Sequence, residues 1–150
     1  MDEERLLATI AMVESASGRN NLPRLEASFL PRGQNLTMQG RYIQGTGRWV
    51  DDRLMAKFEK YGPATACSFG PWQLMYATAL TLGYDGPPWM LWDPDVSEPY
   101  ARKLLRRIIA SGADTPEKVA DAWNSGTWKD GYRPSAYIRK FMAAWEKLGD

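Results

Sequence analysis

Glu3-Glu4-Arg5-Leu6-Leu7-Ala8-Thr9-Ile10-Ala11-Met12-Val13-Glu14-Ser15-Ala16-Ser17 opens the chain with apolar residues at helical spacing. Leu6, Leu7, Ile10, Ala11 and Val13 form one stripe, so the segment reads as an amphipathic helix with Gly18 as its C-cap. At about 100° per residue, Glu14 falls roughly 20° from Leu7, inside the stripe that faces the core. Burial disfavours an ionised carboxylate, and the negative end of the helix dipole disfavours it further. Both effects hold the group protonated, as a general acid requires. The competing reading is a carboxylate in the last turn that swings to water or pairs with an arginine. Position alone leaves both open.

Beyond this helix the periodicity fades from Arg19 to Trp49, where Pro23, Pro31, Gly33, Gly40, Gly45 and Gly47 punctuate the chain. Leu36 to Val50 reads equally as a short hairpin or an ordered loop. Asp51 and Asp52 open a helix through Leu54, Met55, Phe58 and Tyr61, closed by Gly62-Pro63. A further helix is predicted over Ala77–Leu82, followed by a Trp-rich connection from Gly86 to Pro94. Ser97 is the expected N-cap of a helix with Tyr100, Ala101, Leu104, Leu105, Ile108 and Ile109 on its inner face. Thr115-Pro116 starts another helix with Val119, Ala122 and Trp123 inward and Gly126 at its end. The last runs from Ser135 to Leu148. The fold expected is one mainly α domain over residues 1–150, with a small β-hairpin or loop insertion at about 19–66.

Composition removes several chemistries. The 150 residues contain no histidine and one cysteine, Cys67, so neither a Ser-His-Asp set nor a Cys-His pair can form. Zinc sites built on imidazole or clustered thiolates are excluded with them, and no cofactor or metal is expected. Cys67 is either a nucleophile or, more simply, a small buried hydrophobe. A net charge of +1 lacks the basic excess of a nucleic-acid binder. No apolar run approaches the roughly 18 residues of a membrane span. Carboxylate chemistry remains.

Elements further along the chain then gather around Glu14. Glu14-Ser15 resembles the catalytic Glu-Ser of soluble lytic transglycosylases and goose-type lysozymes. Ser68-Phe69-Gly70-Pro71-Trp72-Gln73-Leu74-Met75 with Ala77-Thr78-Ala79 is similar to that family's Gly-Leu-Met-Gln-Leu-Met-Pro-x-Thr-Ala segment. Leu91-Trp92-Asp93-Pro94-Asp95 resembles Leu-Phe-Asp-Pro-Glu, and Ala122-Trp123-Asn124-Ser125-Gly126 resembles Ala-Tyr-Asn-Ala-Gly. Tyr137-Ile138 resembles the terminal Tyr-Val segment. Each element alone is generic; together they stand in family order. The departures are Trp123 in place of a tyrosine and the long stretch from Arg19 to Ala66. Arg24-Leu25-Glu26-Ala27-Ser28-Phe29 within it resembles a Phe-Glu-Arg-like stretch of phage-type muramidases.

The resemblance implies a lysozyme-like helical domain that cuts the β-1,4 bond between N-acetylmuramic acid and N-acetylglucosamine of peptidoglycan. Glu14 is then the acid that protonates the glycosidic oxygen. In a transglycosylase, the same carboxylate takes the C6 hydroxyl proton and a 1,6-anhydro ring closes. A muramidase instead needs a second carboxylate to position water, for which Glu26, Asp51 and Asp52 are available. Asp51 and Asp52 are more simply helix caps, and Glu26 is equally a surface charge. Ser15, Ser68, Gln73, Met75, Trp123, Asn124 and Tyr137 are the implied substrate-binding residues. Gln73 also reads as a polar group bonding backbone at a helix start, and Asn124 as a C-terminal cap.

Trp72, Trp89, Trp92 and Trp123 suit stacking on sugar rings, though at least half of them are expected as core filler. Lys103, Arg106 and Arg107 read as a solvated helix face or, less simply, as an attraction for anionic wall polymers. The partner expected is a glycan strand, bound by a monomer. The acidic start has no basic n-region or cleavage site, which suits cytoplasmic synthesis of a phage lysis protein or a domain of a larger wall-degrading protein. A chitin-cleaving glycosidase and a non-catalytic saccharide-binding or tail-assembly module are the alternatives.

Overall fold

The computed structural model describes residues 1–131 and 134–149. Its first helix, α1 (Glu3–Ser15), starts where the Asp2 carboxylate accepts the Arg5 amide at 3.2 Å, with Glu3 and Glu4 at the favourable end of the dipole. It ends two residues earlier than the apolar pattern suggests. Ala16 and Ser17 both turn left-handed (φ 49° and 60°), ahead of Gly18. Their amides close back on the carbonyls of Met12 and Ala11 at 3.1 and 3.0 Å, which satisfies the end of the helix.

Leu6, Leu7, Ile10 and Val13 of α1 are buried against α4 (Pro94–Ala110), α5 (Pro116–Ser125) and α6 (Ala136–Leu148). The partners are Ala101, Leu105 and Ile108 of α4, Val119 and Ala122 of α5, and Ile138 and Phe141 of α6. Thr115 caps α5 through its side chain, Pro116 follows at a position needing no amide donor, and Gly126 ends the helix at φ 92°. Ser135 caps α6 in the same way.

The helix α4 corrects one sequence expectation. Its N-cap is Asp93, whose carboxylate accepts the Asp95 amide at 2.9 Å, and Pro94 occupies the first position. Ser97 lies inside the helix, fully buried, with its hydroxyl donating to the Asp93 carbonyl at 3.2 Å. The Asp-Pro pair outcompetes serine because it joins a cap to a preset φ. Pro99, inside the helix, costs one bond near its start.

A second core gathers Leu25, Leu30, Ile43, Leu54, Phe69, Leu74, Tyr76, Leu80 and Leu91, and Leu104 of α4 packs against both cores. Its frame is a three-stranded antiparallel sheet ordered β1 (Arg24–Leu25), β4 (Cys67–Phe69), β5 (Leu74–Met75). Between β1 and β4, β2 (Asn35–Met38) and β3 (Arg41–Gln44) form a hairpin. Gln39 and Gly40 at its tip both have positive φ (53° and 78°), the geometry that closes two-residue hairpins. The hairpin alternative for this stretch is therefore the correct one. Helix α2 (Asp52–Tyr61) follows with Asp51 as its cap, and α3 (Tyr76–Thr81) follows β5. Single turns of 3-10 helix occupy Ala27–Phe29, Gly62–Ala66 and the Trp-rich Pro88–Trp92. With six helices and two small sheets among the described residues, the protein is mainly α with a small β element. No helix among those residues is long and apolar enough to cross a membrane.

Candidate active site

Glu14 sits in the last turn of α1 with its side chain only 16% exposed. One carboxyl oxygen accepts the Tyr137 hydroxyl at 2.9 Å, and the other lies 3.6 Å from the Arg24 guanidinium. The two readings of its position therefore hold together: the group is largely buried, and it faces an arginine. Arg24 also donates to the Glu14 carbonyl at 2.7 Å, and Lys140 donates to the Val13 carbonyl at 3.2 Å. Two cations thus meet the free carbonyls at the negative end of the helix.

The electrostatic balance follows from this arrangement. Burial pushes the Glu14 carboxyl above its ordinary range. The Tyr137 hydrogen bond, then Arg24, then Lys140, work in the opposite direction without cancelling it. Tyr137 is itself held strongly in its neutral form, by burial first and by the neighbouring carboxylate second, so it stays a donor. The site shifts Glu14 toward its protonated form relative to a free carboxyl and still offers three groups that stabilise the anion.

Ser15 is 1% exposed, and its hydroxyl donates to the Pro71 carbonyl at 2.6 Å while accepting the Gly18 amide at 2.9 Å. Just over two turns back along α1, the Leu7 carbonyl accepts the Trp72 indole N–H at 3.2 Å. The turn between β4 and β5 is thereby pinned to α1 at two points. Gly70 makes the turn possible: its φ is 79°, and a Cβ there would lie 2.7 Å from the Leu91 carbonyl oxygen. Gln73 is left-handed at φ 48° and buried. Its carbonyl oxygen accepts the Ser68 hydroxyl at 2.8 Å, and its amide donates to the Gly70 carbonyl at 3.0 Å. The backbone-bonding alternative read for Gln73 is thus satisfied, at a turn rather than a helix start.

Ser68 stands opposite Arg24 in the β1–β4 pair and opposite Met75 in the β4–β5 pair. Gln73, Ser68 and Arg24 therefore form a relay of contacts that ends on Glu14. Neither Gln73 nor Ser68 is hydrogen-bonded to the Glu14 carboxyl. Asn124 is exposed within α5, and the cap beyond it is Gly126.

Trp123 is half-buried and lines a cavity of about 670 Å³ between Phe29, Trp49 and Asp51 on one side and α3, α4 and α5 on the other. Trp128 and Arg107 complete its wall, and Glu14 is not among its lining residues. Of the other three candidate tryptophans, Trp72 is buried, whereas Trp89 and Trp92 are each about half exposed, so fewer of the four are core filler than the half expected. Asp51 accepts the Leu54 amide at 2.8 Å, as the cap reading requires. Glu26 is exposed on the same face of the extended strand as Arg24, with buried Leu25 between them. Cys67 is buried, and desolvation, then the nearby Glu26, push its thiol up to about 12, so it is no nucleophile at neutral pH.

The basic run on α4 is engaged locally. Arg106 pairs with Glu3 at 3.1 Å, while Lys103 and Arg107 donate to the Leu82 and Thr81 carbonyls. Sequence reasoning missed Arg24 and Lys140 as parts of the Glu14 site. Lys140 lies three residues beyond Tyr137, a spacing that shares a helix face and could have revealed it. Arg24 carries no comparable local signal. Comparison with family models, curated proteins and solved structures finds no match to the chain.

Proposed function

We propose that the protein is a peptidoglycan glycosidase that cleaves the β-1,4 bond between N-acetylmuramic acid and N-acetylglucosamine, with Glu14 as its general acid. The observation that carries this reading is the buried Glu14 carboxyl, kept above its ordinary titration range yet facing Tyr137 and Arg24. A general acid must be protonated before the bond breaks and stable as an anion afterwards. Burial works toward the first condition. The Tyr137 hydroxyl and the two cations supply the second.

In the reaction, the Glu14 proton passes to the glycosidic oxygen as the C–O bond breaks and positive charge develops at the sugar. The Glu14 carboxylate then takes a proton from the C6 hydroxyl, which closes a 1,6-anhydro ring, or from a water molecule, which gives a reducing end. Glu26 is the exposed carboxylate available to position that water. Trp123 offers an aromatic face to a sugar ring, and Asn124 and Tyr137 stand near in sequence or space to the elements that present it. Ser15, Ser68 and Gln73 act as positioning residues through the turn they hold. The sequence elements shared in order with lytic transglycosylases and goose-type lysozymes support the choice of substrate.

Purified peptidoglycan and chitin oligomers, each incubated with the protein, test this reading. Release of soluble fragments from peptidoglycan is the expected result, and mass spectrometry of their ends distinguishes the routes, because an anhydro end is lighter by one water. Cleavage of chitin alone replaces the substrate assignment. Binding without cleavage of either material overturns the enzymatic reading.

A further inference from the structure

Between Arg19 and Val50 the chain carries five arginines, Arg19, Arg24, Arg32, Arg41 and Arg48, against one carboxylate, Glu26. Arg32 and Arg48 line an open groove of about 610 Å³ together with Glu26, Ser28 and Thr46. Backbone hydrogen bonds fix its walls: Thr46 to Ala27 at 2.9 Å, Gly47 to Leu30 at 2.9 Å and Trp49 to Ser28 at 2.8 Å. The two arginines are mounted side by side, since a Cβ on Gly47 would lie 3.1 Å from the Arg32 amide nitrogen. The Arg48 guanidinium rests over the Trp49 ring at 4.7 Å, which restrains it. Among the described residues, neither Arg32 nor Arg48 meets a carboxylate at ion-pair distance, whereas Arg102 and Lys118 each meet at least two.

We propose that this groove binds the peptide stem carried by the glycan strand, with Arg32 and Arg48 holding its carboxylates. The inference rests on the peptidoglycan reading above. A guanidinium presents paired donors that match a carboxylate, and two of them on a fixed frame form a specific receptor rather than a diffuse charge. Glu26 in the same groove repels a purely anionic polymer. It suits a zwitterionic peptide, which carries an ammonium group as well as carboxylates. Glu26 stands two extended residues from Arg24, about 7 Å along the strand, and Arg24 contacts Glu14. A stem hanging from a strand bound at Glu14 therefore lies beside the groove.

The test compares wild type with the double variant Arg32→Gln/Arg48→Gln, both side chains being exposed, on strands with intact stems and on strands stripped by an amidase. The double variant loses about tenfold in kcat/KM on stem-bearing strands, keeps wild-type kinetics on stripped ones, and loses less as salt rises. An equal loss on stripped strands assigns the arginines to the glycan itself and overturns the proposal, as does no loss on either. Wild-type inactivity on every glycan is the failure of the glycosidase reading instead. A titration with free stem tripeptide then tests the groove alone: saturable binding that the double variant lacks supports it, and equal or absent binding overturns it.

Discussion

Replacing Ser15 by alanine isolates the latch between α1 and the turn that carries Gln73. The hydroxyl proton serves the Pro71 carbonyl at 2.6 Å in a buried setting, and the oxygen accepts the Gly18 amide at 2.9 Å. Alanine leaves both partners unsatisfied. A buried acceptor stripped of its donor costs about 1–3 kcal/mol, and the partly buried amide adds roughly 0.5–1 kcal/mol. Together these reach about 1.5–4 kcal/mol, and the upper end falls to about 3 kcal/mol because the Ala11 carbonyl competes for the same proton at 3.0 Å and softens the first loss. For a domain of this length, that lowers the melting temperature by about 5–10 °C. Calorimetry or circular dichroism measures it directly, with urea denaturation as a second estimate of the free energy. A drop below about 1 °C would refute the latch, since it would mean that water or another group satisfies Pro71 and Gly18 equally well.

Other consequences follow from the same geometry. Gly45→Ala puts a Cβ against the Pro31 carbonyl and 2.8 Å from those of Leu30 and Gln34, so urea denaturation shows a loss of about 3 kcal/mol or more; a near-neutral variant contradicts the packing of that loop. Tyr137→Phe removes the strongest of the influences that hold Glu14 down against burial, so Glu14 titrates higher still. The acid form then survives to higher pH: the alkaline limb of kcat/KM moves up, while the rate at the optimum falls roughly tenfold or more. A limb that stays fixed or moves down contradicts the assigned balance. The Cys67 thiol, buried and pushed up to about 12, stays unreactive to a thiol reagent near neutral pH until the protein is unfolded.

The helices were legible where a local signal coincided with a long apolar stripe. Leu6, Leu7, Ile10 and Val13 defined α1, and Thr115-Pro116 with Gly126 bracketed α5. Ser97 misled because serine is a good cap in isolation, whereas the Asp93-Pro94 pair just upstream satisfies two requirements of a helix start. Strands β1 and β5 were invisible, each being two residues long and too short for alternation to register. Glu14 was legible as a carboxylate on the wrong face of a helix. Its surroundings were not, because Tyr137 lies 123 residues away and meets Glu14 only through the packing of α6 against α1. Helical periodicity locates the anomaly; tertiary structure decides what the anomaly touches.

The proposed chemistry turns on one proton, and Glu14→Gln removes it while keeping a side chain of the same shape. The folded Glu14 titrates above its unfolded value, so its contribution to stability is present at low pH and lost as pH rises through the folded range. The glutamine variant therefore melts no lower than wild type at neutral pH, which separates catalysis from folding in the same sample. Release of soluble fragments from purified peptidoglycan, measured for both proteins, is the direct test. Wild type releases fragments and the well-folded variant essentially none; undiminished release by Glu14→Gln would show that Glu14 is not the acid.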